Sequence, residues 1–218
     1  MVYIPRVKIC CIASADEAKL AIKYGASAVG LVSEMPSGPG PIPEELIKKI
    51  AATIPPGVSS FLLTSKQDVD SIIEQQRRTR VNTIQLVDRL LYGTPTDFKK
   101  ALPGISIVQV IHVRGEESVI EAIDISKYVN AILLDSGNQS LKIKELGGTG
   151  RVHDWEISKK IVESVNVPVF LAGGLKPDNI REAVNNVKPF GVDVCSGVRT
   201  KGKLDETKLK AFFENLGR

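Results

Sequence analysis

Three observations predict an α/β fold, a single (β/α)8 TIM barrel of eight parallel strands. Eight short runs rich in apolar and β-branched residues recur at 7–12, 28–32, 59–64, 83–87, 106–113, 131–134, 167–172 and 191–194. Each is followed by a stretch with helical periodicity. Most runs are nearly continuous in apolar residues rather than alternating, which suits parallel strands covered on both faces. Parallel neighbours need crossover helices, and eight βα units use up the 218 residues. Residues 1–218 therefore read as one domain. A doubly wound sheet is the other way to arrange such units, with fewer strands for this length.

The elements follow in order. The first run carries Cys10 and Cys11 toward its end. The helix at 14–24 opens on Ser14 with Glu17 three residues later, a capping-box pattern, and Gly25 closes it. After the second run, the Gly/Pro-rich stretch 37–43 reads as a loop. The helix at 43–52 begins with Pro43 followed by Glu44 and Glu45, residues that favour a helix start. Helices at 66–77, 94–101, 116–123, 154–165, 177–185 and 205–216 fill the remaining gaps.

Composition narrows the partners. The chain is 43% hydrophobic and 25% charged, with 29 Lys+Arg against 25 Asp+Glu and a net charge of +4. That balance is too mild for a nucleic-acid partner, while a small anionic ligand needs only a local site. No apolar run nears the roughly 20 residues of a membrane span, and the N-terminus lacks a secretory h-region. The expectation is a cytoplasmic protein with no membrane partner and reduced thiols at Cys10, Cys11 and Cys195. His112 and His153 stand far apart and no paired CxxC occurs, so no metal site is expected.

In this fold, chemistry is built at the C-terminal strand ends and in the loops that follow. Gly173-Gly174-Leu175 after the seventh run and Ser196-Gly197-Val198 after the eighth occupy the usual phosphate-binding loops. Glycine lets backbone N–H groups approach a phosphate closely. Asp135 ends an apolar strand. There it serves as a general acid if burial raises its pKa, or caps a loop in solvent. Pleat phase sends either Cys10 or Cys11 to the barrel mouth and the other toward the helices. A free Cys at such a place is a core residue or a reactive thiol. Gly197 to Lys203 mimics a P-loop, but Leu204 stands where Ser or Thr is needed.

Taken together, Val-Lys-Ile-Cys at 7–10, Ala-Ile-Leu-Leu-Asp at 131–135, Gly-Gly-Thr-Gly at 147–150, His-Asp-Trp at 153–155, Leu-Ala-Gly-Gly-Leu at 171–175 and Val-Asp-Val-Cys-Ser-Gly-Val at 192–198 resemble the phosphoribosylanthranilate isomerase family. The resemblance runs over nearly the whole chain. It implies a (β/α)8 barrel of tryptophan biosynthesis that rearranges N-(5-phosphoribosyl)anthranilate without a cofactor. By position it implies Cys10 as general base and Asp135 as general acid. It also implies phosphate binding at Gly173, Gly174, Ser196 and Gly197, with Gln85, Asp88, Arg199 and Gly148 as further substrate contacts. The expected partner is a small phosphorylated sugar, and the assembly a monomer or homodimer.

Four segments depart from the family pattern. Cys11 replaces the Gly of K-I-C-G, and the loop 33–41 carries no Arg to pair with the anthranilate carboxylate. Val87 and Asp88 stand where the family has His-Gly, and Arg199 replaces the Glu of S-G-V-E. Arg89, Arg114 and Arg199 are the candidate substitute cations. The missing Arg leaves an alternative open: a divergent paralogue that isomerises or binds a different phosphorylated sugar.

Overall fold

Eight parallel strands close on themselves in sequence order. The computed structural model describes residues 4–137, 146 and 153–217. The strands are β1 (Arg6–Ile9), β2 (Ala28–Val32), β3 (Ser59–Thr64), β4 (Thr83–Leu86), β5 (Ser106–His112), β6 (Ala131–Asp135), β7 (Val169–Leu171) and β8 (Gly191–Val194). The helices between and after them are α1 (Ala15–Lys23), α2 (Glu44–Ala51), α3 (Val69–Thr79), α4 (Pro95–Ala101), α5 (Glu116–Ser126), α6 (Trp155–Ser164), α7 (Ile180–Val187) and α8 (Glu206–Asn215). A 3-10 turn, Ser196–Val198, and a small hairpin of β9 (Arg199–Thr200) and β10 (Lys203–Leu204) separate β8 from α8. The order is that of a (β/α)8 barrel, and the ring is closed by β1 pairing with β8, Arg6 opposite Gly191 through Ile9 opposite Val194.

β4 and β5 each stop one residue before their apolar runs do, and β1 and β7 fall further short. β1 stops at Ile9, and Cys11 takes a left-handed backbone with φ 60°. β7 begins only at Val169, because Pro168 has no N–H to give to a neighbouring strand.

Side chains alternate between two cores. Val7, Ile9, Ile132, Leu134, Val192 and Val194 pack outward against the helices. Cys10, Phe61, Leu63, Val108, Leu133 and Phe170 fill the interior. The same alternation turns Lys8 and Asp193 inward. Lys8 is wholly buried; its Nζ lies 2.9 Å from Asp193 Oδ2 and 5.2 Å from the centre of the Phe61 ring. Gly30 on β2 provides the room, since a Cβ there would lie 3.0 Å from Cys10 Sγ and 3.1 Å from Lys8 Nζ.

The capping box read at α1 is half formed. Ser14 Oγ accepts from Glu17 N–H at 3.1 Å. The Glu17 carboxylate instead accepts from the Ala13 and Leu204 N–H groups and pairs with Arg199, at 3.0 Å from Nη2. The Arg199 guanidinium also donates to the carbonyls of Cys10, Cys11 and Gly202. This bidentate clamp ties the turn after β1 to the loop after β8. Both side chains are largely buried, so removing one leaves the other without its counter-ion. Arg199→Met is expected to cost about 3 kcal/mol, the low end for breaking a buried pair. The urea-unfolding midpoint reads that loss, and an unchanged midpoint would contradict the clamp.

Candidate active site

A pocket opens at the C-terminal ends of the strands. Its walls include Cys10, Cys11, Gln85, Asp135, Gly173, Gly174, Asp193, Cys195 and Ser196. An apolar side is made by Val32, Met35, Leu63, Val87 and Leu146. Of the residues singled out from sequence, Cys10, Asp135, Gln85, Gly173, Gly174 and Ser196 thus meet at one cavity. Both cysteines at the end of β1 line it, not one of the two. Alternation points Cys10 inward, and the left-handed turn at Cys11 breaks the alternation and brings the second thiol to the same wall.

Cys11 Sγ lies 3.9 Å from Cys10 Sγ, 3.5 Å from the Pro39 carbonyl and 2.7 Å from Cys195 Sγ. The loop after β2 packs on it so closely that a Cβ on Gly40 would fall 2.7 Å from Cys11 Cβ. The Cys11 thiol donates toward Cys10, and the Lys8 ammonium lies nearby. Together they hold the Cys10 thiol below its ordinary range against the opposing effect of burial. Shared hydrogen bonds with Cys10 and Cys195, reinforced by burial, push Cys11 upward. Burial works against the charge on Lys8, but Asp193 and the adjacent thiols outweigh it, so Lys8 remains an ammonium.

Asp135 closes β6. Burial raises its carboxyl to about 6, although the Ser136 N–H donates to it at 2.7 Å. Asp193 Oδ1 and Gln85 Oε1 are buried acceptors with no hydrogen-bond partner among the described residues. Gly173 and Gly174 adopt φ values of 78° and 64°, which only glycine takes without strain. Gly197 packs behind the pocket wall: a Cβ there would come within 2.0 Å of the Leu175 carbonyl, so the loops after β7 and β8 touch backbone to backbone.

The family model described as "N-(5'phosphoribosyl)anthranilate (PRA) isomerase" matches residues 7–215. The N-(5'-phosphoribosyl)anthranilate isomerase of Methanosarcina acetivorans is 32% identical, covering 97% of this chain and 92% of that protein. The chain belongs to the phosphoribosylanthranilate isomerase family. Isomerase 2 of Methanosarcina mazei is 36% identical over 95% of this chain and 92% of its own length. The crystal structure of the Thermotoga maritima phosphoribosylanthranilate isomerase superposes with a TM-score of 0.80 at 29% identity, over 98% of this chain and 99% of that one.

Against the family pattern, two of the departures belong together. Arg199 is not among the pocket-lining residues; its guanidinium is bound to Glu17 and to the carbonyls of Cys10 and Cys11. The Cys at position 11 holds the left-handed conformation that suits the family glycine, and Arg199 grips that turn from behind. Asp88 is buried and accepts from the Arg89 N–H at 2.8 Å; it too lies outside the pocket lining. Arg89 and Arg114 are exposed, and neither lines the pocket. Gly148 lies outside the described residues. His112 is buried and bound through Nε2 to the Val87 carbonyl at 3.1 Å; burial lowers its pKa. His153 contacts Ser158 Oγ at 2.7 Å, and burial lowers it to about 4. Among the described residues, no three His, Cys, Asp or Glu are placed to hold a metal.

Sequence reasoning did not single out Lys8, Asp193 or Cys195 as site residues. One signal was available: a Lys and an Asp each in the middle of an otherwise apolar strand, at matching positions from its end.

The raised carboxyl of Asp135 has a thermodynamic consequence. Its folded pKa of about 6 exceeds the ordinary 3.8, so the folded state binds its proton more tightly than the unfolded chain. Stability is unaffected by this group below pH 4, falls between about 4 and 6, and stays lowered above. Asp135→Asn is therefore expected to stabilise the protein by about 2–3 kcal/mol at pH 8 and hardly at all below pH 4. Denaturant titrations at the two pH values read the difference, and an equal effect at both would refute the buried-acid assignment.

Proposed function

We propose that this chain isomerises N-(5-phosphoribosyl)anthranilate by an Amadori rearrangement in tryptophan biosynthesis. It acts as a cytoplasmic monomer or homodimer and without a cofactor. One observation carries the reading: a thiol shifted toward its thiolate and a carboxyl shifted toward its acid form line the same pocket. An aldose-to-ketose rearrangement needs that pairing of a general base with a general acid.

The steps follow from the chemistry of the substrate. The Asp135 carboxyl gives its proton to the ribose ring oxygen. The bond between that oxygen and C1′ breaks, and the anthranilate nitrogen shares its lone pair with C1′ to form an iminium. The Cys10 thiolate takes the C2′ proton, and those electrons neutralise the iminium to give an enolamine. Tautomerisation to the ketone completes the isomerisation. The reduced 1-(o-carboxyphenylamino)-1-deoxyribulose 5-phosphate held by a related isomerase, 27% identical, has the carbon skeleton of that product.

The backbone of Gly173 and Gly174, with Ser196, suits the phosphate; Gly197 keeps the two loops in contact. The apolar wall of Val32, Met35, Leu63, Val87 and Leu146 suits the anthranilate ring. Gln85 Oε1 and Asp193 Oδ1 are free to accept from sugar hydroxyls.

Loss of substrate fluorescence on turnover, together with rescue of a tryptophan auxotroph lacking this isomerase, tests the reading. Cys10→Ala and Asp135→Ala are each expected to lower kcat by about 10²–10⁴. Normal turnover by both variants would sink the acid–base assignment. Phosphate binding with no turnover of the anthranilate substrate would instead point to a relative that acts on another phosphorylated sugar. Gly197→Ala, which forces the two phosphate loops apart, is expected to raise KM by roughly tenfold. An unchanged KM would remove these loops from substrate binding.

A further inference from the structure

We propose that Cys11 and Cys195 form an oxidisable pair in the pocket wall, which a hydroperoxide converts to a disulfide that stops turnover. The structural half stands by itself; the loss of turnover rests on the isomerase reading above.

The two thiols come from neighbouring strand ends. Cys10 N–H donates to the Val194 carbonyl at 2.9 Å, so the chain positions that follow β1 and β8 lie side by side. Adjacent strands are about 4.8 Å apart, a spacing compatible with the Cα separation of a disulfide. The left-handed turn at Cys11 swings its thiol across this seam, and Sγ stops 2.7 Å from Cys195 Sγ. Closing to a bond of about 2.05 Å takes a movement of about 0.7 Å. Both thiols line the pocket, and Cys195 is partly exposed, which gives a small oxidant its way to the pair. Cys195 is the more exposed of the two and is the first to be attacked.

The chemistry balances with a hydroperoxide as the named oxidant. The Cys195 sulfur attacks the peroxide, its O–O bond breaks, an S–O bond forms, and the thiol proton passes to the departing oxygen, which leaves as the alcohol, or as water from hydrogen peroxide. The Cys11 sulfur then attacks the Cys195 sulfenic acid. The S–S bond forms, the S–O bond breaks, and hydroxide leaves as water with the Cys11 proton. Two thiols lose two electrons and one peroxide gains them.

Cys10 is the competing sulfur. It lies 3.9 Å from Cys11 on the adjacent residue, where a bridge would close a strained ring of two neighbouring residues. Oxidation of the Cys11–Cys195 pair withdraws the Cys11 S–H that donates toward Cys10 and pulls Cys11 from the Pro39 carbonyl. The general base and the loop after β2 are then disturbed together.

The test uses the full chain and hydrogen peroxide in slight molar excess. Remaining thiols are alkylated in denaturant, and the protein is digested and mapped by mass spectrometry. The expected product has lost two hydrogens, joins the peptide bearing Cys10 and Cys11 to the one bearing Cys195, and carries the alkyl group on Cys10. Cys10→Ser should keep that crosslink and Cys195→Ser should abolish it. Turnover should fall by roughly tenfold or more and return with dithiothreitol. In Cys195→Ser, turnover should resist the same dose, relative to its own untreated value. Absence of the crosslink in the wild type and in Cys10→Ser, or oxidation confined to Cys10, would overturn the pairing. A crosslink that leaves turnover unchanged would overturn its link to catalysis. Mapping needs no substrate, so a failure of the isomerase reading leaves the disulfide result standing.

Discussion

The closure of β1 on β8 is the constraint on which the site depends. Lys8 and Asp193 face each other across that seam, Cys10 continues the same strand, and Cys195 follows the partner strand. Just behind the seam, Arg199 and Glu17 hold the two following loops together. A buried ion pair is a poor source of net stability, because desolvation consumes most of its Coulombic gain. Its effect here is positional: it keeps a permanent positive charge beside the thiol that must ionise.

The protein's chemistry is a matter of opposed environments. Asp135 is buried, and the hydrogen bonds from Ser136 do not offset that burial, so the neutral acid is favoured. Cys10 is equally buried, yet it receives a thiol hydrogen bond and lies near an ammonium, so the anion is favoured. Burial alone would raise both groups. The difference is the balance: the Cys11 thiol and Lys8 outweigh burial at Cys10, whereas Ser136 and Lys8 do not outweigh burial and the Asp193 charge at Asp135, which divides acid from base within a single cavity.

The barrel was legible because each strand is an apolar run and the first two crossovers carry their own start signals, at Ser14 and Pro43. The limits of the strands were less so. Val167 and Pro168 continue an apolar run but cannot both join the sheet, and Cys11 belongs to an apolar run but not to a strand. The motifs brought Cys10 and Asp135 into view. Arg199 was legible only as an unplaced cation, since its partner Glu17 is 182 residues distant and looked fully employed in a helix cap. Lys8 and Asp193 stayed hidden for the same reason: a charge in the interior makes sense only with a counter-ion whose proximity is a product of closure.

The Lys8–Asp193 pair spans 185 residues of sequence, which gives the order of synthesis a meaning. On the ribosome, Lys8 emerges long before its counter-ion exists. An ammonium without a partner belongs in water, because its burial alone is strongly unfavourable. The first strand therefore cannot commit to the interior while the chain is growing. At roughly 5–20 residues per second, its lysine stays hydrated for about 10–40 seconds. The last strand then brings the charge that admits the first, and the nascent barrel stays open until β8 has emerged.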